Sequence, residues 1–435
     1  MDLAMYIIFG IITVGAIVYG VLSVRSFIKE ESDATTLFKG KNLVIPGMIA
    51  VGGVSFMLLF LPLALKSQTL FPKFMITLGA LFFSLSLFTF LTFFFLHYYK
   101  FNVDKVWVKR TKITLYITAF LSIVFAVILL DGLTYGGVLK FPLPQGIPFG
   151  DNPIVHFYAL FILGGALLVL AISDHEFYKK YGKHGILENV FYVAFPAGIV
   201  GARVWYVIGE WHVFAGDFSK MIDFRDGGLA IMGGAMFGII AGVLFFLKYR
   251  KEYDPFFAAD VIVPTILVAQ AIGRFGNFTN QEVYGGIIPA SEIGNYWLIP
   301  AFIKENMFIA GEFRQPFFLY ELLLNLTGYF VIRFAIGEGL KKYRKPLDMA
   351  FMYLVWYGAV RFVMEPLRDP IFRMGETNVW SEYNALILLI VGVLAIIGNH
   401  VIRYALKDKQ TENGVSITDS AERNENDGSG DVDVE

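Results

Sequence analysis

Apolar residues in this chain neither alternate nor recur every third or fourth position; they come in long unbroken runs. Eleven runs stand out, at about 3–24, 43–65, 74–96, 113–130, 154–173, 187–208, 229–247, 257–272, 317–337, 348–365 and 383–402. A helix needs roughly 20 apolar residues to cross about 30 Å of hydrocarbon, and inside a bilayer the backbone must satisfy its own polar groups. The pattern predicts an all-α polytopic membrane protein with about eleven transmembrane helices. A soluble core rarely sustains so many runs of this length. The run at 257–272 is short for a span. The first run follows no basic segment and shows no small-residue cleavage site near Val24, so it reads as a retained span rather than a signal peptide.

Composition agrees with the pattern: 56% of residues are hydrophobic and only 17% charged. Net charge is −1, and no basic tract interleaved with aromatics points to a nucleic-acid partner. Cysteine is absent, which excludes disulfides, a thiol nucleophile and thiolate metal sites. The six histidines, at 97, 156, 175, 184, 212 and 400, show no paired ligand spacing, so neither metal nor cofactor is expected.

Short loops rich in Lys and Arg mark the cytoplasmic side. They follow alternate runs: Arg25 to Lys41, Lys100 to Lys112, Lys179 to Lys183, Lys248 to Lys251 and Lys341 to Lys345. One loop, holding Lys66 and Lys73, blurs the alternation. The expectation is an N-terminus outside and a C-terminus inside. The Gly- and Pro-rich stretch 131–153 suggests a boundary between a four-span region, 1–150, and a seven-span section, 151–405. The acidic segment 406–435 is too polar to order itself and is expected to be a disordered cytoplasmic tail.

Ionisable groups within a bilayer are costly, so each is a functional candidate. With this topology, Arg203, Arg274, Glu282, Glu321, Arg361 and Glu365 all fall toward the outer leaflet, as do Tyr158 and Met232. The motif GRFGNFTNQEVYG, 273–285, directly follows the short run and reads as a loop. Arg203, Arg274 and Arg361 together suit a phosphate, which arginine grips with a planar fork of donors. Glu282, Glu321 and Glu365 would hold the guanidiniums or act as bases. Gly273, Gly276 and Gly285 let backbone approach a ligand, and Asn277 and Asn280 supply neutral donors. Structural alternatives stand beside each: Arg361–Glu365 as a staple on one helix face, Arg203 snorkelling to head groups, and His156 as an interfacial residue. The small residues in AIMGGAMFGIIAG fit close helix packing.

At these positions the chain resembles the prolipoprotein diacylglyceryl transferases of the bacterial cytoplasmic membrane. The family signature runs Gly-Arg-any-Gly/Ala-Asn-Phe-apolar-Asn-any-Glu-any-any-Gly, and GRFGNFTNQEVYG fits it with Thr279 as the departure. HFYALFILGG, GARVWYVIG, RDGGLAIMGG, RQPFFLYELLL and GAVRFVMEPLRDP extend the likeness over about 153–405; residues 1–150 have no counterpart. The resemblance implies transfer of the diacylglyceryl group of phosphatidylglycerol to the lipobox cysteine of a prolipoprotein signal peptide, with glycerol phosphate leaving. It implies a multi-pass protein of the bacterial cell membrane, embedded in the lipid bilayer, with its active site toward the outer leaflet. By it, Arg274 and Arg361 grip the lipid phosphate, Asn277, Glu282 and Gly285 shape the site, and Tyr158 and Glu365 match functional positions. Many members carry a histidine where Met232 stands, so the base would be Glu282, Tyr158 or His156, or no dedicated base is needed. The rival reading is an ion-coupled transporter using the same Arg and Glu residues; such proteins favour midplane sites and inverted repeats, and the sequence shows neither.

Overall fold

A computed structural model describes residues 53, 57, 70–98, 105–149, 152–183, 185–222, 228–372 and 380–412. The first two predicted spans fall outside the described residues apart from Gly53 and Met57, as does the tail beyond 412. In chain order the elements are α1 (Leu70–Tyr98), α2 (Lys105–Tyr135), β1 (Gly146–Phe149), β2 (Asn152–His156), α3 (Phe157–Tyr181), α4 (Ile186–Gly209), α5 (Ile231–Phe246) and α6 (Pro255–Asn280). There follow β3 (Ile287–Ile288), α7 (Ala301–Asn306), β4 (Phe308–Ile309), β5 (Glu312–Arg314), α8 (Phe317–Phe330), α9 (Asp348–Met364) and α10 (Trp380–Glu412). Among the described residues, eight helices are long and apolar enough to cross a membrane. This is a mostly helical, polytopic membrane protein.

The expectation of an all-α chain needs correcting. A β1–β2 hairpin precedes α3, and β3, β5 and β4 form a small antiparallel sheet in that order. Both lie in segments between the long apolar helices, where a backbone without helical bonds finds partners in a neighbouring strand. Ala310 and Gly311, both with positive φ (53° and 82°), turn β4 into β5 as a tight hairpin requires. Of the segment 406–435 expected to be a tail, residues 406–412 continue α10, which runs to Glu412, and the remainder lies outside the described residues.

The chain forms two compact units. The first comprises 1–144 together with 287–314; the second comprises 145–286 and 315–435. The sequence pattern leaves 287–314 in the later section and gives no sign that it folds with the N-terminal region. In the first unit α1 and α2 run antiparallel in tight contact: a Cβ on Gly79 would lie 2.8 Å from the backbone N of Leu129. Ile76, Ala80, Leu129 and Leu133 close the core between them, and Ser122 Oγ meets Ser86 Oγ at 3.0 Å.

In the second unit α6 is the most enclosed of the membrane-crossing helices, packing on α3, α8 and α9. Asp254 caps its start by accepting from the Phe256 amide at 2.9 Å, with Pro255 following. The helix runs 26 residues, far past the short run of the sequence reading, because polar residues at membrane depth still need helical backbone bonds. Only at Gln281, φ 52°, does it end.

Asp260, 4% exposed, ties α6 to the start of α9. Its carboxylate accepts from the amides of Leu347 (2.8 Å), Met349 (3.1 Å) and Ala350 (3.1 Å). It thereby holds Leu347 at a φ of 80°, a conformation a leucine avoids unless surroundings impose it. His400 and Asn399 of α10 bond the neighbouring Asp348 at 2.8 and 2.9 Å. These contacts fix how far α9 is advanced along α6, and so set the height of Arg361 roughly 20 Å further on at 1.5 Å per residue. Asp260→Ala is expected to lower stability by about 1.5–3 kcal/mol, as for lost bonds to a charged acceptor. The measurement is the melting midpoint in detergent, with Asp260→Asn retaining part of the loss.

Candidate active site

Four segments of the second unit meet at the C-terminal ends of α6 and α9. Arg274 lies inside α6 rather than in a loop, and Arg361 lies in the last turn of α9. Glu321 comes from the second turn of α8 and is 2% exposed. Its carboxylate faces Arg274 Nε at 2.6 Å, Arg368 Nη2 at 2.8 Å and Arg361 Nη1 at 3.9 Å. Glu365, 1% exposed, pairs with Arg361 at 3.0 Å and with Arg368 at 3.6 Å. One buried carboxylate thus touches three guanidiniums, and a second touches two of them.

Arg368 is the residue that sequence reading passed over. It sits beyond the helix, yet it is 6% exposed. The signal was present: 361, 365 and 368 follow the i, i+4, i+7 spacing of one helical face. The short helical turn Glu365–Leu367 carries that face onward. Burial, then the charge of Arg361, pulls the Arg368 pKa below the usual arginine value, while Glu321 and Glu365 oppose this.

A second chain of bonds leads away from Arg274. Its Nη1 donates to Asn277 Oδ1 at 3.1 Å, and Asn277 Nδ2 donates to Glu282 Oε1 at 2.8 Å. Asn277 is 6% exposed. Glu282 sits between two positive-φ residues, Gln281 at 52° and Val283 at 56°; for a β-branched valine that is a strained backbone. The strain is held by the Glu282 amide bonding Asn277 O at 3.0 Å, and by Tyr284 O accepting from the Asp369 amide at 3.1 Å. Gly285 bridges to Arg368, so the signature turn is stitched to the segment after α9 that carries the third arginine.

The two signature glycines are there for space. A Cβ on Gly276 would lie 1.8 Å from the ring of Tyr158, and one on Gly285 would lie 2.2 Å from the ring of Phe317. Tyr158, in the first turn of α3, therefore stacks on α6 beside the motif, where its hydroxyl feels the charges of Glu282 and Arg274. Of the sequence-predicted residues, the structure draws Arg274, Asn277, Glu282, Gly285, Tyr158, Arg361 and Glu365 into one neighbourhood.

Arg203 is placed differently. Its guanidinium donates to the carbonyls of Lys220 (2.7 Å), Met221 (2.9 Å) and Gly228 (2.8 Å), and lies over the rings of Phe214 and Tyr206. These bonds tie Arg203 to carbonyls on both sides of the connection between α4 and α5, and they engage three of the five guanidinium donors. Met232 is 66% exposed on α5, and His156 is exposed at the start of α3.

Fold and site together define a class: a polytopic membrane protein with a buried cluster of arginines braced by carboxylates at one end of its helices. The comparisons narrow it. The family model for prolipoprotein diacylglyceryl transferase matches residues 149–398, and the chain belongs to that family. A phosphatidylglycerol–prolipoprotein diacylglyceryl transferase of Lactococcus lactis subsp. lactis is 40% identical over 246 residues, 56% of this chain and 89% of the relative. Proteins of the same name from Streptococcus uberis and Streptococcus pyogenes serotype M5 are 36% identical over 255 residues and 39% identical over 250. Those alignments cover 58% and 56% of this chain, and 94% and 90% of the relatives.

Removing one member of a buried ion cluster strands its partners. Glu321→Gln is expected to cost about 3–5 kcal/mol of stability, read as a lowered melting midpoint in detergent, whereas Arg203→Lys should move that midpoint far less.

Proposed function

We propose that this protein transfers the diacylglyceryl group of phosphatidylglycerol to the cysteine thiol of a prolipoprotein. The observation that carries the reading is the cluster of Arg274, Arg361 and Arg368 around Glu321 and Glu365. Its arginines exceed its glutamates by one, leaving a positive excess in a buried setting. Each guanidinium has five donors, so pairing with carboxylates still leaves N–H groups for phosphate oxygens.

Charge placement supports an outward-facing site. The loops before α6 and α9 carry Lys248, Arg250 and Lys251, and Lys341, Lys342, Arg344 and Lys345. The arginine cluster lies at the other ends of those helices, on the side opposite the basic loops. That end placement also speaks against an ion-coupled transporter, whose charged groups belong near the midplane.

In the reaction, the cysteine sulfur attacks the glycerol carbon that bears the phosphate ester. A C–S thioether bond forms, the C–O bond breaks, and glycerol phosphate leaves with both electrons of that bond. Negative charge grows on the departing oxygen, where Arg274 and Arg361 are set in advance to meet it. The same positive field favours thiolate over a thiol whose ordinary pKa is about 8.5. Glu282, held by Asn277 and the strained turn, shapes the side of the pocket toward Tyr158. Glu365 Oε1 is buried without a hydrogen-bond partner among the described residues, an acceptor suited to a hydroxyl of the leaving glycerol. No dedicated base is assigned: the released proton passes to solvent.

Two outcomes test this. Purified protein with phosphatidylglycerol and a lipobox peptide should place label on the peptide cysteine, and a Cys→Ser peptide should take none. Arg274→Ala should lower turnover by roughly 100-fold or more, as for a lost donor to developing charge; full turnover would remove the phosphate assignment. Met232→His addresses the base. A missing general base would be worth about 100-fold or more, so a gain of that size at low pH would overturn the base-free reading, and a change of under about two-fold is expected.

A further inference from the structure

A polar pair that the chemistry above does not use lies inward of the arginine cluster, in the second unit. Gln270 of α6 donates through Nε2 to the hydroxyl of Tyr353 on α9 at 3.0 Å. Both residues are half-buried, and Tyr353 packs against the apolar layer that includes Leu267, Ile332 and Met349. The Tyr353 ring stacks on Tyr357, with centroids 5.9 Å apart and planes 10° from parallel, which limits where its hydroxyl can point. Polar side chains inside membrane-crossing helices are costly and ask for a reason.

The pair does not satisfy itself. Gln270 Oε1 is buried without a hydrogen-bond partner among the described residues, a cost that stays until something meets the amide. The Tyr353 hydroxyl accepts from Gln270, so its own hydrogen is left to give. With the amide turned end for end the bond survives, Tyr353 then donating, and the NH2 group takes the unpartnered position. In either arrangement the pair has a hydrogen to offer. A bond that served only to tie α6 to α9 would not need that surplus.

Position says what would take that hydrogen. Gln270 stands four residues before Arg274 and Tyr353 eight before Arg361, so each shares a helix side with its arginine. At 1.5 Å per residue the steps inward are about 6 Å on α6 and about 12 Å on α9. In a phospholipid whose phosphate lies against Arg274 and Arg361, the glycerol ester carbonyls follow a few bonds inward, before the acyl chains begin. We infer that the Gln270–Tyr353 pair donates a hydrogen bond to an ester carbonyl of the diacylglyceryl group, a second subsite that favours ester-linked lipid. The inference rests on the transferase reading above. An ester carbonyl accepts and has no hydrogen of its own, which is the partner the pair lacks. Held at both the phosphate and the carbonyl, the glycerol carbon between them keeps its orientation as sulfur attacks.

The test sets phosphatidylglycerol against its dialkyl ether analogue, which keeps the phosphate and lacks the carbonyls. The full chain as wild type, Tyr353→Phe, Gln270→Leu and the double variant is assayed with each lipid and a lipobox peptide. Wild type should prefer the ester lipid in kcat/KM by about five-fold, the size of one net hydrogen bond. Tyr353→Phe keeps the ring and removes either the donor or the bond that holds the amide, so it should at least halve the preference, as should Gln270→Leu. The double variant should bring it under about two-fold. Equal use of the two lipids by wild type would overturn the subsite. So would variants that lose turnover on both lipids alike with the preference intact, the mark of a purely structural tie. Binding is read separately as the rise in melting midpoint on adding each lipid in detergent. The ester lipid should give the larger rise in wild type and lose that advantage in the double variant. A wild type that transfers nothing yet shows this difference in binding would sink the transferase reading and leave the subsite standing.

Discussion

One carboxylate organises the arginine-bearing end of the second unit. Glu321 is almost wholly buried and faces Arg274, Arg361 and Arg368. A charge out of water is tolerated only when paired and bonded, so the three arginines cannot be placed independently. α8 must present Glu321 where α6 presents Arg274 and where the segment after α9 turns back with Arg368. At the opposite end Asp260 and Asp348 impose a matching constraint on α6, α9 and α10. Between these two polar clamps lies an apolar layer of Leu267, Val268, Tyr329, Ile332 and Met349, which gives cohesion but little axial register, because apolar contact is non-directional. The clamps supply what the apolar layer lacks.

A cluster held this way suits a reaction whose hard step is the departure of an anion. Donors that are already oriented need not reorganise as charge develops, and a water-poor setting makes each worth more than at the surface. The same logic explains the strained turn at Gln281–Val283. A relaxed turn would let Glu282 swing toward the arginines and neutralise their excess charge. Bonded to Asn277 and flanked by two left-handed residues, it is kept at one remove from them.

Sequence revealed the membrane class because apolar runs are local and need no knowledge of partners. It also picked out Arg274, Asn277, Glu282, Arg361 and Glu365, since charged residues next to such runs are rare enough to draw notice. Three things were hidden, each for a nonlocal reason. Arg274 looked like a loop residue, because the eye ends a span where charge begins, whereas the backbone continues as helix wherever water is scarce. Arg203 looked equivalent to the other arginines in depth and neighbours; its bonds to the carbonyls of Lys220, Met221 and Gly228 are invisible in the sequence. The partnership of 287–314 with the N-terminal region depends on contacts across more than 150 positions, which no periodicity records.

The 287–314 segment belongs to the first unit, while the chain on either side of it belongs to the second. Backbone bonds join the two flanks: Gly285 N to Gln315 O at 3.1 Å and Gln315 N to Gly286 O at 3.0 Å. Such pairing resists shear where a free linker would not. Because Gln315 stands just before α8, these bonds also fix the start of the helix that carries Glu321.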